Sequence, residues 1–241
     1  MSVPSQTFPK TLIMIPAFNE ADSIALVIGK IRAHAPWADI AVINDGSTDQ
    51  TAAIAQANGA ITLKLPYNVG IGAAVQTGFL YADQFGYEVA VQNDGDGQHP
   101  AEEIPLLVRS LIDQKTDVMI GSRYIEDRGY VTPLPRRVGQ AFLSGLIRII
   151  TRKKMTDPTS GFRASNRQVI EYCARNYPYD YPEPEAIVML HRAGFTLGEI
   201  PVTMNARYGG ISSINAWNSG YYMIKVTLAI LVGLLRSTKK A

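Results

Sequence analysis

Apolar runs alternate with amphipathic stretches through the first half of this 241-residue chain. Thr11–Ala17 is a short apolar run closing at Pro16 and reads as a buried strand. Asn19 then offers a helix cap, and Ile24, Val27, Ile28 and Ile31 recur at helical spacing. Asp39–Asn44 predicts a second strand, followed by the polar turn Asp45-Gly46-Ser47-Thr48-Asp49 and an alanine-rich helix ending near Gly59. Ile61–Leu65 predicts a third strand, and the turn Asn68-Val69-Gly70-Ile71-Gly72 opens a helix reaching about Phe85. Tyr87–Gln92 predicts a fourth. Pro100 starts a helix with Ile104, Leu107, Val108, Leu111 and Ile112 on one face, and Asp117–Ile120 predicts a fifth strand.

Strands and helices in this rhythm imply an α/β fold with a mostly parallel sheet and right-handed crossovers. Ligands of such sheets bind beyond the carboxyl ends of the strands. Asn19, Asp45, Asn68, Asp94 and Arg123 each lie just past a predicted strand, so five polar side chains are expected on one edge.

The second half is less regular. Leu134–Thr151 predicts a helix with Gln140, Ser144 and Arg148 on a narrow polar stripe, and Val138, Phe142, Leu146, Ile149 and Ile150 elsewhere. It runs into Arg152-Lys153-Lys154. Such a helix either rests on an anionic membrane surface or belongs to the core, its basic end complementing the helix dipole. Tyr221–Leu235 is almost wholly apolar, interrupted by Lys225 and followed by Arg236, Lys239 and Lys240. A spanning helix needs about 20 apolar residues, so this shorter stretch suits the membrane interface or a membrane partner, or else the protein's own core. The basic tail and neighbouring aromatics favour the membrane or partner. No repeat or linker divides the chain. Residues 1–10 are expected as a tail, 11–210 as one α/β domain, and 211–241 as a C-terminal membrane-interface or partner-docking helix.

Composition narrows the class. With 46% hydrophobic and 18% charged residues the chain is an ordinary globular protein. A formal charge of +2 is too weak to argue for nucleic acid. The single Cys173 excludes a disulfide framework and a cysteine metal site, which fits a reducing, cytoplasmic setting. Met1–Lys10 has no apolar segment after a basic start, so no secretory signal is expected.

Candidate chemistry centres on the acidic turn. Asp94 and Asp96 stand two apart on a tight turn and can face one hard cation, Mg²⁺ or Mn²⁺, with Gln98 adding a neutral oxygen and His99 beside it. A cation there bridges diphosphate oxygens and neutralises the charge growing on a leaving nucleotide. The Asn68–Gly72 turn follows the third strand and lacks a third glycine, so it is weak as a dinucleotide fingerprint. It remains reasonable as a close backbone approach to a ligand. There is no P-loop GK[ST], and His34, His99 and His191 form no Ser/His/Asp arrangement. Arg123, Arg163 and Arg207 each sit in a polar, glycine-containing loop, where guanidinium forks suit phosphate. Asp157 is open to two roles, base or salt-bridge partner.

Taken in order, Ile15-Pro16-Ala17-Phe18-Asn19-Glu20, Asp45-Gly46-Ser47-Thr48-Asp49, Asn68-x-Gly70-x-Gly72 and Asp94-Gly95-Asp96-Gly97-Gln98-His99 resemble the motifs of family 2 glycosyltransferases. Gly121-Ser122-Arg123-Tyr124 and Asp157-x-x-Ser160-Gly161-Phe162-Arg163 resemble the dolichyl-phosphate mannose synthase and bacterial polyprenyl-phosphate glycosyltransferase group. The resemblance covers about residues 10 to 210. It implies a nucleotide-diphospho-sugar transferase fold (GT-A, Rossmann-like) and an inverting single displacement. It places Pro16, Ala17, Asn19, Glu20, Asp45, Asn68, Gly72 and Asp94 around the nucleotide sugar, and Asp94, Asp96 and Gln98 at the metal. Asp96, Arg123, Asp157, Arg163 and Arg207 fall at the reacting phosphates. The implied acceptor is a polyprenyl phosphate such as undecaprenyl phosphate, for cell-envelope glycan assembly.

A phosphate monoester is already anionic near neutral pH and needs little from a base. Its difficulty is approaching a negative diphosphate, which a cation and clustered arginines relieve. A saccharide acceptor would instead require a carboxylate base, Asp157 or Glu183/Glu185. A non-catalytic nucleotide-sugar-binding protein would have no need of the intact Asp94/Asp96 pair. UDP is the expected nucleotide and GDP the next. Some members of the group carry transmembrane hairpins after the catalytic domain. One short apolar segment here points to peripheral or monotopic attachment at the cytoplasmic face of the membrane, alone or through a small membrane protein. Exposed apolar helices also make a homo-oligomer an expected partner state.

Overall fold

The structure, a computed structural model, describes residues 8–126, 134–179, 182–205 and 216–235. The apolar runs form strands where they were predicted: β1 (Thr11–Ala17), β2 (Asp39–Asn44), β3 (Ile61–Lys64), β4 (Val89–Gln92) and β5 (Val118–Ser122). Between them lie α1 (Ile24–His34), α2 (Thr51–Ala57), α3 (Ile71–Gln84) and α4 (Ile104–Asp113), the last entered through a 3₁₀ turn at Ala101–Glu103. Asn19 does not cap α1. It lies upstream of Ser23, the residue that precedes the helix, in a left-handed conformation with φ 55°.

The seven strands are ordered β3-β2-β1-β4-β6-β5-β7. β6 (Arg163–Asn166) runs antiparallel to both β4 and β5, and every other pairing is parallel. β1 is buried along its whole length because helices cover both faces. Ile13 and Ile15 pack with α1 and α4, while Leu12 and Met14 pack with α3 and α6 (Arg167–Asn176). Each such large apolar side chain contributes about 1.5–3 kcal/mol on burial.

β6, α6, α7 (Pro182–Ala193) and β7 (Leu197–Pro201) follow in the less regular second half of the chain. Arg-Ala-Ser-Asn has no apolar alternation, so long-range pairing makes β6 a strand. Asn166 then caps α6, its side chain accepting from Val169 N at 3.0 Å.

Helix α5 (Leu134–Thr151) divides its expected polar stripe, with Arg148 exposed but Gln140 and Ser144 not. Gln140 and Ser144 turn inward and donate to Thr156 O and Met155 O, beside the buried Leu143 and Ile147. Val138, Phe142 and Ile149 face outward, Ile149 being 79% exposed. Helix α8 (Ala216–Leu235) packs on α5 and α7 through Val226 and Ile230, leaving Ile224, Leu228, Leu231 and Val232 outward. Among the described residues no helix is long and apolar enough to cross a membrane.

Candidate active site

The carboxyl ends of β1, β2, β4 and β5 and the start of antiparallel β6 meet on one edge of the sheet. Two polar loops are laced together there. Asn19 N donates to Ser47 Oγ (3.0 Å) and Thr48 N to Asn19 Oδ1 (2.9 Å), while Glu20 N donates to Thr51 Oγ1 (2.8 Å) and Ala21 N to Asp49 Oδ2 (3.1 Å). Asp45 accepts from Val69 N (2.8 Å) and Gly70 N (3.0 Å), drawing the Asn68–Gly72 turn onto β2. Gly46 permits this approach: at φ 66°, a Cβ there would lie 2.4 Å from the Tyr67 main chain.

The acidic turn packs against the same lacing. Gly95 lies against Pro16, Ala17 and Glu20, and the buried Ser23 hydroxyl donates to Gly95 O at 2.7 Å. Asp94 N donates to His99 Nδ1 (2.9 Å), and Gln98 N to Asp96 Oδ1 (2.9 Å). Burial pushes the His99 pKa down to about 4, against the pull of Asp96. The imidazole is therefore neutral at physiological pH, as its role as acceptor for Asp94 N requires. Its ring rests on Phe162, centroids 5.3 Å apart.

Opposite the turn stands Arg123, gripped by Asp157. Arg123 Nε and Nη2 reach Asp157 Oδ2 and Oδ1 at 2.6 and 2.7 Å, and Arg123 N reaches Oδ2 at 3.1 Å. Thr159 Oγ1 donates to Oδ1 at 3.2 Å. Asp157 is 0% exposed, and these four donors match the acceptor positions a carboxylate offers. That is the arrangement of a salt-bridge partner. An open cleft with about 70 Å³ of room lies between the two sides, lined by Asp94, Gln98, His99, Arg123, Thr159 and Gly161. A Cβ on Gly161 would sit 3.4 Å from both Asp94 carboxylate oxygens, so glycine keeps this wall close to the acidic turn.

Other expected site residues are placed differently. Arg163 is buried behind the cleft, its Nε and Nη2 donating to Ser160 O (2.7 Å) and Pro158 O (3.2 Å). Glu183, on the first turn of α7, shares that interior. Burial raises its pKa, and Arg163 opposes the rise. Gly72 is buried beneath the chain at Pro178–Tyr179, where a Cβ would meet Tyr179 O at 2.2 Å, so packing already requires glycine. Asn68 is exposed. Arg207 lies outside the described residues, as do Arg236, Lys239 and Lys240. The Cys173 thiol is buried and pushed well above its usual range, which leaves it inert.

Sequence reasoning missed Ser23 and Glu199. Ser23 offered no signal. Glu199 did, as an acid inside the apolar strand β7.

The turn suits a hard cation by its donor chemistry: Asp94 and Gln98 line the cleft, and Asp96 is buried in the same turn beside them. Among the described residues no three His, Cys, Asp or Glu form a metal cage.

Relatives place this geometry. The model of "Glycosyl transferase family 2" matches residues 12–173. The chain is 32% identical to a polyprenol monophosphomannose synthase of Mycolicibacterium smegmatis, over 90% of this chain and 85% of that protein. It is 28% identical to an undecaprenyl-phosphate mannosyltransferase of Micrococcus luteus, over 90% and 93%. A crystal structure of glucosyl-3-phosphoglycerate synthase from Mycobacterium tuberculosis, in complex with Mn²⁺, uridine diphosphate and phosphoglyceric acid, superposes with a TM-score of 0.73 at 20% identity, covering 93% of this chain and 78% of that one. The GT-A fold, the ordered motifs at the strand ends and the match across two thirds of its length make this chain a glycosyltransferase of family 2.

Proposed function

We propose that this enzyme transfers a sugar from a nucleotide diphosphate donor to a polyprenyl monophosphate by a single inverting displacement. An acceptor phosphate oxygen attacks the anomeric carbon from the face opposite the donor diphosphate. As the new C–O bond forms, the bond to the diphosphate breaks, and the nucleoside diphosphate leaves with the electron pair.

The observation that carries this reading is the buried Arg123–Asp157 fork facing the acidic turn across the cleft. A guanidinium held by a carboxylate behind it is set to receive an anion in front. Asp157 has its acceptor positions occupied, which argues against a base, and a phosphate acceptor needs none because its second pKa is near 6. A saccharide acceptor would need a base that Asp157 is poorly placed to supply.

On the donor side, Asp94, Asp96 and Gln98 would hold Mg²⁺ or Mn²⁺. Bound there, the ion supplies charge neutralisation for the diphosphate. Pro16, Ala17, Asn19, Glu20 and Asp45 would line the nucleoside. The solved neighbour bound to uridine diphosphate and Mn²⁺ supports a UDP-sugar and a divalent ion. The relatives named for polyprenol and undecaprenyl phosphate support the lipid acceptor.

Attachment would be peripheral. The outward stripe of α5 runs into exposed Arg148, Arg152, Lys153 and Lys154, apolar surface beside positive charge, as an anionic bilayer surface requires. The test is direct: incubate purified protein with undecaprenyl phosphate, a panel of labelled nucleotide sugars, and Mn²⁺ or Mg²⁺, with and without chelator. Label in an acid-labile lipid product, lost with chelator, is the expected result. No lipid product from any donor would overturn the proposal.

A further inference from the structure

Behind Arg123 lies a second carboxylate that never reaches the cleft. Glu199 stands on β7, in register with Ile120 of β5. It is partly buried and surrounded by donors. Thr156 N donates to Oε1 and Oε2 at 2.9 and 2.8 Å, Asp157 N to Oε1 at 2.9 Å, and Thr156 Oγ1 to Oε2 at 3.0 Å. An ionised carboxylate only accepts, so it sets the direction of every hydrogen bond that follows. Thr156 Oγ1 spends its proton on Glu199 and must accept from Ser122 Oγ at 2.7 Å. Ser122 Oγ in turn accepts from Tyr124 N at 3.2 Å. Ser122 and Tyr124 flank Arg123, and Asp157, whose main chain Glu199 holds, grips the Arg123 side chain. Both routes from Glu199 end on the same arginine.

We propose that Glu199 is a positioning residue: by fixing the main chain of Thr156 and Asp157 it aims the Arg123 guanidinium at the acceptor phosphate. Burial raises the pKa of Glu199 and the surrounding N–H groups oppose the rise, a cost that an ordinary strand position does not carry. An apolar residue would pack β7 equally well but leave two main-chain N–H groups unsatisfied beneath the site. The inference rests on the reading of Arg123 as the acceptor's phosphate ligand.

The test is Glu199→Gln, which keeps the size but presents an NH₂ to main-chain N–H groups. Varying undecaprenyl phosphate at saturating donor, kcat/KM for the lipid should fall roughly ten- to a hundred-fold, carried by KM, as expected for losing charge-assisted hydrogen bonds. Donor nucleotide affinity, measured separately by calorimetry, should stay within about twofold. In an Arg123→Ala background the same change should cost less than about twofold, because both substitutions then act on one interaction. A wild-type KM for the lipid in Glu199→Gln, or full multiplication of its loss with that of Arg123→Ala, overturns the proposal. If Glu199→Gln does not fold, Thr156→Val, which cuts the hydroxyl relay alone, is judged by the same two criteria, with a loss of roughly three- to tenfold expected. Failure of wild-type protein to form any lipid product would sink the reading of the acceptor. A working wild type with an indifferent Glu199 would sink only this inference.

Discussion

The two halves of the cleft are built by different means. On the donor side, exposed or half-buried loops at the ends of parallel strands are laced by short polar bonds, such as Asn19 to Ser47 and Thr48, and Asp45 to Val69 and Gly70. On the side proposed for the acceptor a largely buried ion pair, Arg123–Asp157, is anchored through β7 and α5. Polar bonds among exposed loops are individually worth about 1 kcal/mol and can be lost singly. A buried ion pair is different, since removing one partner strands a charge in the interior. The donor half should therefore answer to substitution in activity, and the acceptor half in activity and stability together.

The largest test of that contrast is Asp157→Ala. It leaves Arg123 buried without its partner and should lower stability by about 3–5 kcal/mol, read by denaturant unfolding, with lipid transfer lost. A stable, inactive Asp157→Ala protein would mean that the acid acts chemically and that the two halves do not differ as described. Next comes Asp96→Ala on the donor side. Turnover should drop by on the order of 10²–10³-fold, while the loss of stability stays below that of Asp157→Ala. Comparable unfolding of both aspartate variants would erase the comparison.

Gly72→Ala probes the close packing of the start of α3 against the chain at Pro178–Tyr179. Its Cβ would collide with Tyr179 O, so a cost of about 1–3 kcal/mol is expected by thermal melting, with nucleotide affinity near wild type in the folded fraction. A selective loss of nucleotide binding would restore Gly72 to the donor site. The smallest effect on folding should come from Phe142→Ser with Ile149→Ser on the outward stripe of α5, within about 0.5 kcal/mol, as for exposed positions generally. Binding to anionic vesicles should nonetheless weaken several-fold in a flotation assay. Unchanged vesicle binding would remove α5 from the membrane surface.

Much of the donor side was legible before folding. Asp94, Asp96 and Gln98 declare themselves as close-spaced oxygen donors, and the apolar runs before them place them at the ends of strands. Asp157 and Arg163 were harder. Both are polar residues in irregular loops, and only geometry separates the one that braces Arg123 at the cleft from the one buried behind it. Gln140 and Ser144 look like a solvated stripe from helical spacing alone, because periodicity identifies faces without saying which face is inside.

The sequence by itself determined the α/β rhythm, the five parallel strand positions and the edge on which the polar turns emerge. These depend on local periodicity and on the handedness of short connections, which residues a few positions apart dictate. Tertiary structure alone decided the antiparallel insertion of β6, the pairing of Arg123 with Asp157, the hydrogen bonds that Glu199 accepts and which residues of α5 turn inward. Each depends on desolvation and on contacts between residues distant along the chain, and that energy exists only once the sheet is assembled.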